Sequence, residues 1–545
     1  MQRVFKRPLA AAMAIIMVVT LLIACSNNNN TSAPSTNSNN GASTGNSLNS
    51  TEAVSNAGNE NGKLFAEPMT LTVMKDEHPS QPFVLDSPVI QEIYNRTNVK
   101  IELMPVPGSD YSQVSRTRIA SNNMPDILFT TFATMSEFAD SGIFLNISDY
   151  MNHAPNMQEL LINEPEFYKV TFNNQFYGFP AKRPFNLWNG PVAMMRVDKV
   201  EELGLNIPTT FEELYEVLKA FKQAWPDTYP ITFRNGVNYF LPYMAFSFGS
   251  GANIYFDPHV DGGKYVFGPA YEDDFTPVLE YLNRLYSEGI LDPDYAVNTN
   301  QAWQENLSSG KSLYYHDNNS FAINFNNALQ LSDPKANFQQ LPVLASGHGP
   351  KRNHVFALHP MSTVATVSAN VKRPEDVVKF MDWLYSPEGI LLTNFGIEGE
   401  HYEIVDGEPV VLPEIIEQFS GQQDPFRAMQ SALGTGWLSF TLTYDMRPQI
   451  DISPPDIVNW SELILEELGE NYYERVLDPP FTSEELEKLR NLKTKLDDIV
   501  TQEMDKFIMG SRPLSEYPAF AKQLRDAGSA QLEDIYNFAL KRLYE

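Results

Sequence analysis

The chain has 545 residues, 12% of them aromatic, one cysteine, and a formal charge of −29 at pH 7. Such an average field repels polyanions and argues against nucleic acid as a partner, while a single thiol leaves no disulfide framework. About 480 residues follow the N-terminal segments, too many for one hydrophobic core and enough for two large lobes.

Arg3, Lys6 and Arg7 form a basic start, and Leu9 to Ala24 is apolar except for Thr20. That stretch is shorter than the roughly 20 residues of a membrane-spanning helix and suits the central region of an export signal. Residues 1–24 therefore read as a signal peptide. Leu22-Ile23-Ala24-Cys25 resembles the bacterial lipobox, in which cleavage precedes the cysteine and its thiol is lipidated. Ser26 to Gly62 has no aromatic residue and is dominated by Asn, Ser, Thr, Gly and Ala. It cannot bury enough apolar surface to offset its ordering entropy. Residues 25–63 are thus expected to be a lipidated Cys25 with a disordered Asn/Ser/Thr-rich tether, reaching on the order of 35 Å. No later stretch is apolar enough to cross a bilayer.

Met69 to Met74 alternates as a strand and ends in the polar loop Lys75–Pro79. Val89 to Thr97 reads as a helix, Val99 to Leu103 as a second strand, Tyr111 to Ser121 as a helix, and Pro125 to Phe129 as a third strand. This alternation predicts a parallel sheet with crossover helices, whose ligands bind beyond the carboxyl ends of the strands. That directs attention to Lys75–Pro79 and Thr130–Thr134. Thr210-Phe-Glu-Glu213 opens an amphipathic helix with a capping box, and Thr482-Ser-Glu-Glu485 opens a longer one that Gly510 ends. The Leu486, Leu489, Leu492, Leu496, Ile499 and Phe507 stripe of that helix reads as core packing.

Catalytic signatures are sparse: no H-E-x-x-H, no Walker loop and no G-x-S-x-G is present. With Cys25 assigned to the anchor no thiol nucleophile remains, and the scattered histidines lack zinc-ligand spacing. Any acidic chain offers carboxylate pairs for glycoside hydrolysis, and no pair is singled out by its neighbourhood. Aromatics recur in polar contexts, at Asn186-Leu-Trp-Asn189, Gln301-Ala-Trp303, Tyr314-Tyr-His-Asp-Asn-Asn319 and Gly434-Thr-Gly-Trp437. Such rings suit stacking on a sugar face, with Asn, Asp and Arg bonding its hydroxyls.

Several segments, in order, resemble the family 1 extracellular solute-binding lipoproteins of ABC sugar importers. They are Pro125-Asp-Ile-Leu-Phe129 with Ala139-Asp-Ser-Gly142, Gln175-Phe-Tyr-Gly-Phe-Pro180 with Met194-Met-Arg-Val-Asp198, and Leu203 to Glu213. Asp382-Trp383 with Ser386-Pro-Glu-Gly389, Gly396 to Tyr402, and Lys506 to Gly510 complete the likeness, which is to the larger Gram-positive branch. The resemblance implies an α/β, two-lobed periplasmic-binding-protein-like clamp of type II, maltose-binding-protein-like, with several interlobe crossings. Lobe one would comprise 64–191 plus 352–415, and lobe two 192–351 plus 416–545. It implies a protein that is not an enzyme and needs no cofactor or metal. As a monomer anchored by lipid to the extracellular face of the cell membrane, it would capture an oligosaccharide and deliver it to ABC permease subunits. A sensory binding protein signalling to a membrane kinase, or a surface glycan-degrading enzyme, are the alternatives.

By position, the resemblance places His78, Thr130, Thr131, Phe132, Arg183, Asn186, Trp188, Asp317, Asn318 and Asn319 at the ligand, with Glu398, His401, Trp437 and Arg447 added from the last third. Thr130 stands where maltose-binding members carry a stacking tryptophan, a departure from maltodextrin-type recognition. Ala224 to Pro230 replaces a calcium-loop-like insert of relatives and offers only Asp227 as a carboxylate, so no metal is expected there. The acidity of the chain disfavours uronic-acid oligomers, while Arg183 and Arg447 provide local positive charge.

Overall fold

The computed structural model describes residues 62–77, 82–183, 191–354, 361–422, 424–436, 440–469 and 476–544. Cys25 with its tether, and the candidates His78, Asn186, Trp188 and Trp437, lie outside the described residues. The strands in chain order are β1 (Met69–Glu77), β2 (Val99–Pro107), β3 (Ile127–Thr131), β4 (Phe179–Pro180), β5 (Pro191–Arg196) and β6 (Ile254–Asp257). They continue as β7 (Lys264–Phe267), β8 (Tyr314–Asn318), β9 (Phe338–Gln340), β10 (Thr363–Val367), β11 (Tyr402–Val405) and β12 (Glu408–Val411).

The N-terminal alternation folds as expected. β1 runs parallel to β2, with Leu71 opposite Ile101, and parallel to β3, with Val73 opposite Ile127. Between β1 and β2 the helix Pro88–Thr97 starts with proline at its first turn, where a missing N–H is harmless, and stops at Asn98 in the left-handed conformation. It buries Val89, Ile90 and Ile93 with Leu71 and Val73 in a first core. The sheet order is β2-β1-β3-β10-β4, and β10 joins it only after β5 to β9 have been laid down elsewhere. β10 lies antiparallel to β3, with Thr363 opposite Thr131.

A second sheet has the order β8-β5-β9, both neighbours antiparallel to β5. Its side chains alternate between two apolar layers. Ala193, Met195 and Tyr314 enter one core, and Val192, Met194 and Tyr315 enter another on the opposite face. The helix Phe211–Ala224 begins at Thr210, whose side chain accepts from the Glu213 N–H, while the Glu213 carboxylate binds Thr209 instead of completing the box. The box at Thr482 is complete, and the helix Ser483–Ile508 follows it.

The chain therefore crosses between lobes after Pro180 and again between Gln340 and Thr363. Further passages occur in the last third, where the packing departs from the boundary drawn at 416. The described residues of the helices Pro413–Phe419, Pro425–Leu433 and Arg447–Ile452 lie against the first lobe. Met429, Leu433 and Ile452 close an apolar cluster with Phe395 and Tyr402, and Phe440 and Leu442 join the first core. Lys182 N–H donates to the Leu442 carbonyl, and Tyr444 N–H to that of Lys182 (2.6 and 2.8 Å). The helix Pro455–Leu468 then packs with Trp303 and Phe338 of the second lobe, which also holds most of 481–541.

Asp382, buried on the helix Pro374–Trp383, caps another helix, Pro155–Asn163. It accepts from the N–H of Met157 (2.8 Å) and the side-chain amide of Asn156 (2.7 Å). Replacing it by alanine strands those donors and should cost about 2 kcal/mol of stability. Urea unfolding checks this, and Asp382→Asn, which keeps one acceptor, should lose less.

Candidate functional site

Strand register locates the edges that face the crossings. In the first sheet, Pro180 pairs with Val364 and Thr131 with Thr363, so the chain leaves and re-enters at the carboxyl end of β3. Met74 opposite Leu128 puts Lys75, Asp76 and Glu77 on the same edge. In the second sheet Pro191 pairs with Asn318 and Met194 with Gln340, so the chain arrives beside Asn318 and departs beyond Gln340. The cleft of a two-lobed protein lies between two such edges.

On the first edge, Thr131 is the N-cap of the helix Phe132–Phe138, its hydroxyl accepting from the Thr134 N–H. Thr130 is buried beside it, and Phe132 points into the first core. The Arg183 guanidinium lies 4.8 Å over the Tyr444 ring. Lys75 is 1% exposed, with its ammonium 4.6 Å from the centre of the Phe129 ring. Burial pushes its pKa down to about 7; Asp76 opposes that shift and Arg183 reinforces it.

On the second edge, Asp317 receives Arg234 in a fork, Nε to Oδ2 at 2.8 Å and Nη2 to Oδ1 at 3.0 Å. Arg234 also donates to Asn300 (2.6 Å) and to the Tyr239 hydroxyl (2.8 Å). Its guanidinium lies 4.9 Å from the Tyr239 and Trp303 rings and 5.0 Å from Phe321. Burial first, and then Asp317, lift the Tyr239 phenol to about 12 against the pull of Arg234, so it stays protonated. Asn318 accepts from the Ser320 N–H (2.9 Å), and buried Asn319 donates to Gln340 (3.4 Å). Beneath them His316 stacks on Tyr243 at 5.3 Å, and its Nδ1 lies 3.2 Å from the Tyr314 hydroxyl.

Thr130, Thr131 and Arg183 are thus gathered on one edge, and Asp317, Asn318 and Asn319 on the other. Glu398, His401 and Arg447 lie apart from both, beside the satellite cluster of the first lobe. His401 Nδ1 accepts from the Ile397 N–H (2.9 Å) inside a turn whose Gly396 adopts φ 93°; a Cβ there would meet that nitrogen at 2.5 Å. Glu398 is exposed in the same turn. Arg447 is paired with Asp445 and Glu408. Trp303, read from sequence as a loop aromatic, is 1% exposed on the helix Asn300–Ser308 and meets Tyr315 edge-on. Tyr314 and Tyr315 are fully buried on β8. Sequence reasoning passed over Arg234, Tyr239, Asn300, Phe321 and Tyr444. The segment carrying Arg234 joins the second lobe through isolated bridges from Ile231 to Leu291 and Tyr314, too short a pairing to leave a periodic signal.

A family description, bacterial extracellular solute-binding protein, matches residues 81–390. The chain belongs to that family. Among curated relatives, the polygalacturonan/rhamnogalacturonan-binding protein YtcQ of Bacillus subtilis is 26% identical over 478 residues, 83% of this chain and 88% of that protein. The fructooligosaccharide ABC transporter substrate-binding protein FusA of Streptococcus pneumoniae is 22% identical over 513 residues, 85% of this chain and 88% of its own. The solved structure of an HMO-binding, ABC-transporter-associated solute-binding protein from Bifidobacterium longum infantis superposes with a TM-score of 0.70 at 18% identity, covering 88% of this chain and 99% of that one. The solute-binding protein thus has the two-lobed periplasmic-binding-protein fold, a mixed α/β clamp.

Two histidines are harder to protonate in the folded protein than in the unfolded chain. Burial pushes His316 down to about 3, reinforced by His354 and opposed by the Pro191 carbonyl, and burial also lowers His401. Unfolded, both titrate near 6.5, so the unfolded chain takes up protons first and stability falls as pH drops below about 6.5. For His316 the loss continues toward about pH 3. Urea midpoints measured from about pH 7.5 to about 4.5 should fall less steeply for His316→Gln than for the native chain.

Proposed function

We propose that this solute-binding protein is an extracellular receptor, held at the cell membrane by a lipid on Cys25, that captures an oligosaccharide between its lobes and delivers it to an ABC permease. The observation that carries the reading is the pair of polar and aromatic clusters at the strand ends of two sheets, on the edges where the chain crosses between lobes. A ligand touching both edges favours the closed state over the open one, since it has contacts in the first that the second lacks. Closure also removes water and strengthens each hydrogen bond to the sugar.

Thr131, Arg183 and Asn318 are the described groups best placed to bond sugar hydroxyls, with Thr130, Asp317 and Asn319 supporting them. Trp188 and Trp437 supply stacking faces, and His78 and Asn186 further polar groups. The glycan ligands named for YtcQ and FusA support carbohydrate as the ligand class. The protein acts as a monomeric binder and not as an enzyme; in support of binding over cleavage, Arg234 and Asp317, Arg183 and Tyr444, and Glu77 and the Phe83 N–H are engaged with one another among the described residues.

Titration calorimetry of residues 26–545 against plant-wall, fructan and bacterial oligosaccharides should find a ligand with Kd near micromolar, about −8 kcal/mol. Binding of a peptide or a small osmolyte in place of every glycan would remove the sugar assignment. Trp188→Ala and Trp437→Ala should each weaken binding about tenfold, the loss of one stacked ring. Chromatography after long incubation should return the glycan uncut, and Cys25→Ser should abolish palmitate labelling of the cells' protein.

A further inference from the structure

The charged side chains named among the described residues of the two cleft edges are each engaged within the protein. On the first edge the cations are Lys75 and Arg183, and the carboxylates are Asp76 and Glu77. Lys75 is buried with Asp76 in electrostatic reach, Arg183 is stacked on Tyr444, and Glu77 accepts from the Phe83 N–H (2.8 Å). On the second edge Arg234 meets Asp317 in a two-point fork. The neighbouring Lys182 is paired with Glu164, and Arg352 with Asp257. The segments 78–81, 184–190, 355–360 and 437–439, outside the described residues, contain no Asp, Glu, Lys or Arg.

A site that selects a carboxylated sugar presents an arginine fork or a lysine to it, because charge-assisted bonds are the strong ones. Arg234 is the natural candidate for that task, and its geometry argues otherwise. Four of its N–H groups are spent on Asp317, Tyr239 and Asn300, and three aromatic rings surround it. Its side chain is only 12% exposed. Around it stand the half-buried rings of Tyr239 and Phe321, with Asn300 exposed and Asn318 half-buried. Rings and amides without net charge suit the C–H faces and hydroxyls of a neutral sugar. The overall charge of −29 adds a repulsive background for anions.

We infer that the cleft takes an uncharged oligosaccharide, and that Arg234 is a positioning residue that fixes Asp317, Asn300 and Tyr239 in one network instead of receiving a ligand carboxylate. This rests on the carbohydrate reading above and sharpens it to one chemical class.

The test compares neutral oligosaccharides with oligogalacturonates of equal length, by calorimetry on residues 26–545 in about 20 and about 200 mM NaCl. A neutral glycan should bind at least tenfold tighter than any acidic one, with an affinity that salt changes less than about twofold. An oligogalacturonate that binds tenfold tighter than every neutral glycan, and loosens in salt, overturns the inference and leaves the carbohydrate reading intact. Binding of neither class sinks that reading, and this inference with it. Asp317→Asn gives a second readout, since it leaves the Arg234 charge uncompensated at the edge. The acidic-to-neutral affinity ratio should then rise severalfold and become salt-sensitive, which a purely structural loss does not produce. An unchanged ratio in a variant that melts cooperatively counts against the role of Arg234, and the native-chain comparison decides the matter if the variant fails to fold.

Discussion

The antiparallel pairing of β10 with β3 is the constraint on which the rest of the architecture depends. A chain that has built a whole second lobe returns to place Thr363 opposite Thr131 and Val367 opposite Ile127. The pairing is fastened by Thr366, whose hydroxyl donates to the Leu128 carbonyl. It does two things at once. It brings Val364, Ala365 and Val367 into the first core, and it fixes which edge of that sheet faces the crossings. Without it, β3 would present an unpaired strand edge to solvent, a standing invitation to misassociation.

The second lobe places its charges differently from the first. Arg196 with Asp198 and Asp333, Arg234 with Asp317, and Arg352 with Asp257 all involve guanidinium groups that are nearly buried. Desolvation offsets much of the attraction in such pairs, so they are weak evidence for stability. What they supply is geometry. Asp198 ties the start of a helix to the Asn337 N–H just before β9 (3.0 Å), and Asp257 is held by the Tyr255 hydroxyl and the His259 N–H while it grips Arg352. Each pair joins a segment leaving the small sheet to an element that would otherwise be free to slide.

The legible parts of the sequence are those where one local rule decides. Alternation marked β1, the strand–helix succession marked β2 and β3, and the capping residues marked the helices at Thr210 and Thr482, because those signals act within a few residues. Thr130 and Thr131 were singled out because strand ends in an α/β sheet face its ligands, whereas Arg183 and Asp317–Asn319 came only from the position of matching segments in the family. The lobe of the helices Pro413–Phe419, Pro425–Leu433 and Arg447–Ile452 was not legible, because it is chosen by contacts such as Lys182 with Leu442 and Asn394 with Thr443, which span tens to hundreds of residues. Trp303 misled for a related reason: its polar Gln301 neighbour suggested a loop, but the helix Asn300–Ser308 turns the ring into the core while Gln301 stays exposed. Arg234 left no trace at all, since its meaning lies wholly in partners from four separate segments.

Paired charge at the strand ends also bears on how a clamp can close. Bringing two lobes together strips water from everything on the facing edges, and an unmatched charge there would have to be desolvated each time. Pairs such as Arg234 with Asp317 form wholly within one lobe, with side chains 12% and 3% exposed, so much of their desolvation is already met by the lobe's own packing. Closing then costs little beyond the hydration of amides, hydroxyls and ring faces, which a sugar's own hydroxyls and C–H faces replace. The free energy gained from those contacts is left to shift the open–closed balance. A cleft with an exposed, unmatched arginine would instead stay open until an anion came to neutralise it.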